Sequence, residues 1–356
     1  MNILHLCPDL NVVCGKTRYV LELLKLLNTE GLNLFLGSNK LYDGEIILPS
    51  NVELLEIEIS PNNRNLINFF TSIKKLYEFI KNNNIEIIHT HHRYPELIAS
   101  LVKSVFSLKV KIYSTVHSIT YNKYPFQHKS NKIIAVSNYV KNHLINYHKL
   151  KPDKIEVIYN FVNSNFFRTN LDKSYIVTDK GKEHFIIFSA GRFHDDKDYF
   201  TLFNALKLLP DLPLKFILIG EGQLLNEYKH YIVSHQISDR VEILESKLDI
   251  SELYLSADLC ILPSKIEPLG FFILEAGLFS KPVIGSNNGG IAEIIEDNFN
   301  GLLFETHNPE NLASKIKLLF EDSTLQSLLG DNLNKTVKNK FNSNIHLTKL
   351  MKIYNG

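Results

Sequence analysis

The sequence predicts an α/β protein built from two doubly wound domains in tandem, and three observations carry that expectation. Short runs rich in Ile, Val and Leu alternate with longer amphipathic stretches through residue 160, the alternation lapses over 164–184, and it restarts at 184. Apolar runs of four to eight residues are what strands of a parallel sheet look like, because crossover helices bury them on both faces. At roughly 150 residues per domain, a chain of 356 residues has room for two cores.

Taken in order, the strands of the first domain are expected at 2–7, 33–38, 52–59, 85–91, 110–117, 131–137 and 155–160, with helices at 17–30, 65–83, 95–106 and 138–150. In the first of these helices Tyr19, Leu23, Leu26 and Leu27 recur at helical spacing. The segment 164–184 has weak periodicity and mixed charge and reads as an interdomain connection. The second domain has strands at 184–191, 214–220, 241–246, 259–264, 282–287 and 301–305 and helices at 197–209, 222–236, 249–256, 268–279, 289–296 and 309–320, followed by more helical sequence. The expected division is therefore 1–163, a connection at 164–184, 185–340, and a C-terminal segment at 341–356. Two such domains are expected to face each other across a cleft lined by loops from the carboxyl ends of their strands, where open α/β sheets bind ligands.

Composition narrows the class. Hydrophobic residues at 44% and charged residues at 22% are those of an ordinary globular chain and exclude disorder. The three cysteines, Cys7, Cys14 and Cys260, are too few and too far apart for a disulfide framework or a four-thiolate zinc site, and suit a reducing compartment. The first strand carries no basic leader and no apolar run approaches the ~18 residues of a membrane span, so a cytoplasmic protein is expected, neither secreted by a cleavable signal nor integral. The net charge of +1 conceals an asymmetry: residues 1–170 hold 20 Lys and Arg against 13 Asp and Glu. Ten lysines between Lys103 and Lys154, among them Lys109, Lys111, Lys123, Lys129, Lys132, Lys141 and Lys149, face one acid, Asp153. With Tyr113, Tyr121, Tyr124, Phe126, Tyr139 and Tyr147 interleaved, this stretch is either a solvated face or a surface for an anionic partner.

Two nucleotide fingerprints fail. Cys14-Gly15-Lys16-Thr17 resembles the end of a P-loop, but Leu10 stands where that motif needs its first glycine. Gly220-Glu221-Gly222 follows a strand and opens a helix, but Leu225 occupies the third glycine position of a dinucleotide loop.

The segment AGRFHDDKDYF (190–200) is more informative. Arg192 and Lys197 leave the end of a buried strand, where two cations beside a helix start can clamp a diphosphate; the plainer reading pairs them with Asp195, Asp196 or Asp198. In PSKIEPLGFFILEAGLFSKPVIGSNNGGIAEII (263–295), Glu267 lies in a loop and Glu275 in the helix that follows. A helix starting near Leu269 sets Glu275 roughly 9 Å along its axis, so that the two carboxylates reach different parts of an elongated ligand. Pro268, Leu269, Gly270 and Phe271 bring backbone N–H groups to the positive end of that helix, which suits a phosphate, and Gly289-Gly290 permit a second close approach. A glycosidase-like carboxylate pair is the competing chemistry, and two surface glutamates flanking an ordinary helix the plain one.

His89, His91 and His92 end one strand and His117 another. Adjacent His91 and His92 point to opposite faces of a strand, so the HTHH run is not expected to hold a metal. For His117 a core histidine bonded to a carbonyl is the default reading, and only its place at a strand end promotes it to a candidate site residue.

These motifs together resemble the retaining GT-B glycosyltransferases of glycosyltransferase family 4. The parts are Gly15 after the first strand, STVHS around His117, KIIAVSNYVKNHL and KIEVIYNFVNSNFF (132–167), GR with Lys197, GEG at 220–222, and Glu267 and Glu275 followed by KPVIGSNNGGIAEII. The chain differs at Cys14, at Phe161 and at Asp198, where a glycine is usual. The resemblance implies a GT-B fold whose last helix, about 344–354, returns to the first domain. It implies that Arg192 and Lys197 neutralise the nucleotide diphosphate, that the backbone at Leu269, Gly270 and Phe271 and the loop at Gly15 line the donor site, and that Glu275 binds the ribose. Glu267 and His117 touch the transferred sugar. The implied reaction transfers a monosaccharide from a nucleotide-diphosphate sugar, without metal or cofactor and with retention, onto a glycan or lipid-linked acceptor in bacterial surface polysaccharide assembly. Residues near Glu245–Asp249 are expected to meet the base, and the lysine-rich 103–154 stretch an anionic membrane surface. A sugar-nucleotide epimerase of the same shape and a non-catalytic partner subunit are the alternatives; a nucleic-acid binder lacks a recognition module.

Overall fold

The computed structural model describes residues 1–8, 10, 15–39, 48–63, 65–123, 127–163, 184–245 and 249–356. The expected interdomain connection, apart from His184, lies outside the described residues, as do Cys14, Tyr124 and Phe126. The chain divides into two compact units, Met1–Asn160 with Ser343–Gly356, and Phe161–Asn342.

The first unit is a seven-stranded sheet of β1 (Asn2–Leu6), β2 (Asn33–Ser38), β3 (Val52–Glu56), β4 (Ile87–Thr90), β5 (Lys111–Val116), β6 (Lys132–Ala135) and β7 (Ile155–Val157). Its order is β3-β2-β1-β4-β5-β6-β7 and every pairing is parallel. The direction of winding reverses between β1 and β4, so the crevice at their carboxyl ends is the site such a sheet offers to ligands. Helices α1 (Gly15–Asn28), α2 (Leu66–Asn82), α3 (Arg93–Val105) and α4 (Asn138–Asn146) cover the sheet. Local chemistry sets their starts: Asn65 accepts from Asn68 N at 2.7 Å, and Ser137 from Val140 N at 3.1 Å. Ile3, Leu4 and Leu6 of β1 are fully buried, as strands covered on both faces require.

The second unit repeats the scheme with β8 (Phe185–Ala190), β9 (Leu214–Ile219), β10 (Val241–Leu244), β11 (Leu259–Leu262), β12 (Val283–Ser286) and β13 (Leu302–Phe304), ordered β10-β9-β8-β11-β12-β13 and all parallel. Its helices are α5 (Tyr199–Lys207), α6 (Leu225–Ser234), α7 (Ser251–Ser256), α8 (Phe271–Leu278), α9 (Ile291–Ile294), α10 (Pro309–Glu321) and α11 (Ser323–Lys340). Asn308 caps α10 ahead of Pro309, and Asp322 caps α11. Winding reverses between β8 and β11, the two strands that release the Arg192 and Glu267 loops.

The last helix, α12 (Ser343–Asn355), packs in the first unit, as expected of it. His346 bridges Tyr19 Oη at 3.1 Å and the Tyr159 carbonyl at 2.8 Å, and Tyr354 Oη reaches His89 Nδ1 at 2.6 Å. One expectation is corrected. The helix after the Glu267 loop begins at Phe271, not near Leu269, because Gly270 takes φ +107, a left-handed conformation no helical residue adopts. Glu275 therefore stands about one turn into α8, roughly 6 Å along the axis instead of 9 Å.

Candidate active site

In the second unit, β8 runs out at Ala190 and its continuation Gly191–Phe193 stays tied to the end of β9. Gly191 N donates to the Ile219 carbonyl at 3.1 Å, Phe193 N to Glu221 O at 2.7 Å, and Leu224 N back to Phe193 O at 3.1 Å. This explains the GEG sequence. A Cβ on Gly220 would lie 2.0 Å from Gly191 O, and one on Gly222, at φ +149, 2.5 Å from Phe193 O. The glycines serve the close approach of two chain segments, and Phe193, fully buried against Tyr228 and Tyr199, anchors the loop that carries Arg192.

Arg192 is 53% exposed and meets Asp196 Oδ2 at 3.4 Å. A single 3₁₀ turn, Asp195–Lys197, then leads to Asp198 at φ +50. That left-handed backbone is one glycine adopts freely and aspartate tolerates; here the Asp198 carboxylate accepts from Thr201 Oγ1 at 2.9 Å and lies 2.6 Å from His307 Nδ1.

Lys197 turns inward. Its Nζ lies 2.5 Å from Glu267 Oε2, with side-chain exposures of 14% and 11%, and Ser264 Oγ donates to the same oxygen at 3.3 Å. The two loops are stitched at further points: Lys265 N donates to Asp196 O at 2.9 Å, and Lys265 Nζ pairs with Asp195 Oδ1 at 2.6 Å. Of the pairings foreseen for the cations, Arg192 with Asp196 is present, whereas Lys197 is bound to the motif glutamate.

The Glu267 loop is braced from beneath by the turn after β12. Gly290 N donates to Glu267 O at 2.8 Å, and Asn288 Nδ2 to the Lys265 carbonyl. A Cβ at Gly290 would sit 2.3 Å from Leu269 Cα and 2.4 Å from Pro268 O. Leu269 is buried at 2% exposure, so its side chain packs inward and is not offered to a ligand. Gly270 caps α8 without any side-chain hydrogen bond. The first amides of α8, around Phe271, are thus at the free positive end of a helix. Glu275, 3% exposed, accepts from Tyr254 Oη at 2.7 Å, and Tyr254 is stacked on Phe279. Ser264 and Tyr254 were not singled out from sequence, since serines and tyrosines in these settings carry no motif. Of the stretch expected to meet the base, residues 246–248 lie outside the described residues.

In the first unit, Gly15 is the first residue of α1 and His117 follows β5. Lys16 adds a nearby positive charge to His91 and His117. Burial holds His117 down to about 3, with Lys16 next in effect, so the ring is neutral.

His117 belongs to a cluster that sequence reasoning found only in part. His89 and His91 share one face of the chain leaving β4, and β1 brings His5 opposite His89. One ring nitrogen from each of His5, His89 and His91 lies within 4.8 Å of the other two, so the expectation drawn from His91 and His92 alone missed the third ring. His92 is elsewhere employed, accepting from Tyr94 N at 3.2 Å as the cap of α3. Lys16 stands nearby, and both His89 nitrogens are engaged, by Tyr354 Oη at 2.6 Å and Thr115 Oγ1 at 2.7 Å. These features suit hydrogen-bonded neutral rings better than a dication.

Comparison with known proteins agrees with the resemblance. Residues 13–166 match the Glycosyltransferase Family 4 domain and residues 173–336 the Glycosyl transferases group 1 domain. An uncharacterised glycosyltransferase of Methanocaldococcus jannaschii is 31% identical over 287 residues, covering 77% of this chain and 76% of its own. The UDP-Gal:alpha-D-GlcNAc-diphosphoundecaprenol alpha-1,3-galactosyltransferase of Escherichia coli is 24% identical over 316 residues, covering 82% and 81%. The crystal structure of a glycosyltransferase from Rickettsia africae ESF-5 superposes with a TM-score of 0.82 at 27% identity, covering 99% of this chain and 97% of that one. With both domain matches, a relative above 30% identity and two sheets of the Rossmann order, the chain is a glycosyltransferase of family 4 with the GT-B fold.

Proposed function

We propose that this protein transfers a monosaccharide, with retention of anomeric configuration and without a metal, from a nucleotide-diphosphate sugar to a hydroxyl of a glycan or lipid-linked acceptor in bacterial surface polysaccharide assembly. Within it, residues 1–163 form the acceptor domain and 185–340 the donor domain. The observation that carries the reading is the junction in the second unit, where Lys197 and Glu267 meet at 2.5 Å near the start of α8, whose cap Gly270 supplies no side-chain acceptor. A cation, a carboxylate and free helix amides on loops from the two strands flanking the switch point are the groups a sugar diphosphate needs. Lys197 and Arg192 would neutralise the departing phosphate, whose oxygen takes the acceptor proton on the same face of the sugar. Glu275, buried one turn into α8, would accept hydrogen bonds from ribose hydroxyls, and Glu267 and His117 would meet the sugar.

The Escherichia coli relative's own name specifies a UDP-sugar donor and a lipid-diphosphate acceptor, which supports the choice of substrate class. Among the described residues no helix is long and apolar enough to cross a membrane. Exposed Lys109, Lys111, Lys123, Lys129, Lys149 and Lys151 would hold the protein peripherally on the inner membrane face, each well-placed lysine contributing about 1 kcal/mol. Sedimentation with phosphatidylserine vesicles should fall with added salt, and binding indifferent to salt and lipid charge would remove the membrane from the proposal.

A panel of nucleotide sugars scored by thermal shift tests the donor reading, because a ligand raises stability by RT ln(1 + [L]/Kd). One nucleoside diphosphate and its sugar should raise Tm, and the stabilising donor should yield a glycosylated product only when an acceptor is added. Isomerised sugar formed without acceptor would replace the proposal with an epimerase.

A further inference from the structure

His5, His91 and His117 form a row through the switch point of the first sheet. His5 Nδ1 lies 3.1 Å from His91 Nε2, and His91 Nδ1 lies 3.4 Å from His117 Nε2. Ring centroids 5.4 and 5.7 Å apart, at interplanar angles of 10° and 35°, set the rings edge to edge, which is the geometry of N–H···N bonds. His5 and His91 are almost wholly buried, while His117, at the end of the row, is partly exposed. Burial keeps all three rings neutral at ordinary pH, so each carries one N–H.

One proton per ring and two bonds leave two arrangements. Either every ring donates toward His117, or every ring donates toward His5. The choice is made at the inner end, where His5 Nε2 is buried with no hydrogen-bond partner among the described residues. In the second arrangement that atom would be a buried N–H with nothing among the described residues to donate to, and buried orphan donors are rarer than under-used acceptors. The first leaves only a lone pair there. His5 Nδ1–H then donates to His91, His91 Nδ1–H donates to His117 Nε2, and the His117 proton is confined to Nδ1.

We propose that His5 and His91 are positioning residues that hold His117 in the Nδ1–H tautomer, so that the nitrogen not engaged by His91 presents a hydrogen-bond donor to an oxygen of the bound sugar donor. This rests on the reading of His117 as a residue that touches that donor. The tautomer is a property of the protein alone, so it can be measured apart from that reading.

The first test is ¹⁵N NMR of histidine-labelled wild-type protein without ligand, the His117 signals being assigned by their loss in His117→Gln. The expected result is a protonated Nδ1 and an unprotonated Nε2. A protonated Nε2 would overturn the proposal. Next, His5→Phe keeps a ring but removes the donor, and His5→Asn places an amide N–H where Nδ1 stood. His5→Phe should relax His117 to a mixture of tautomers and lower kcat about tenfold with KM for the donor little changed, whereas His5→Asn should keep the tautomer and most of kcat. An unchanged His117 tautomer in folded His5→Phe, equal kcat losses in both variants, or stoichiometric Zn²⁺ binding that His5→Asn abolishes would each overturn the proposal. Full activity in His117→Gln would overturn instead the reading it rests on, and leave the tautomer result standing.

Discussion

Replacing Lys197 by alanine separates a cation that serves the ligand from one that only pins a loop. The side chain makes a charge-assisted hydrogen bond to Glu267 Oε2 at 2.5 Å, and both partners are largely shielded, at 14% and 11% exposure. Losing such a bond costs about 1.5–3 kcal/mol, which for a unit of this size lowers Tm by about 3–12 °C. That much follows from structure alone, and Glu267→Gln should show a similar fall because it removes the same charge pair. Catalysis asks for more. A fixed donor facing a developing oxyanion contributes about 2.7–4 kcal/mol, so kcat for transfer should drop by about 10²–10³ in Lys197→Ala. Kinetics with the stabilising nucleotide sugar, run beside thermal unfolding of the same preparation, give both numbers. A Tm that falls as stated with kcat within about threefold of wild type would refute the mechanism and leave Lys197 as a structural tie.

Gly290→Ala should abolish donor binding by displacement instead of chemistry. Its Cβ would lie within 2.6 Å of three backbone atoms of Pro268 and Leu269, which cannot yield as a side chain can, and calorimetry showing unaltered nucleotide affinity would refute the role given to the Gly270 turn. Glu275→Ala removes one acceptor of buried Tyr254 and the proposed ribose contact; the nucleotide Kd should rise about 10–100-fold, and an unchanged Kd defeats the assignment. Acid should destabilise the first unit. Burial lowers His5 to about 3 and His346 to about 4, so below pH 6.5 the unfolded chain takes up protons that the folded one does not. Stability is then full above pH 6.5 and is lost as pH falls through the window from 6.5 toward 3, by about 1.4 kcal/mol per pH unit for each histidine. Urea unfolding should show about 2–3 kcal/mol less stability at pH 5.5 than at 7.5 from these two alone, and a flat profile would show that the rings are not held neutral.

The amino-acid sequence by itself determined the alternation of strands and helices, the parallel character of both sheets and the loops that carry the chemistry. Each of these depends on neighbours within a few residues: runs of Ile, Val and Leu, caps such as Ser137 and Asn308, and glycines at strand ends. Even locally there was a limit, since the delayed start of α8 depends on Gly270 adopting a left-handed φ that its identity permits but does not require. Tertiary structure decided what those loops do to one another. The bond between Lys197 and Glu267 joins residues 70 apart, the need for glycine at 220 and 290 comes from backbone segments distant in sequence, and the row from His5 to His117 exists because β1 lies in register with β4 and β5 beside it. Side-chain spacing along one strand reports which face a residue takes, but only the order of strands in the folded sheet sets which faces meet.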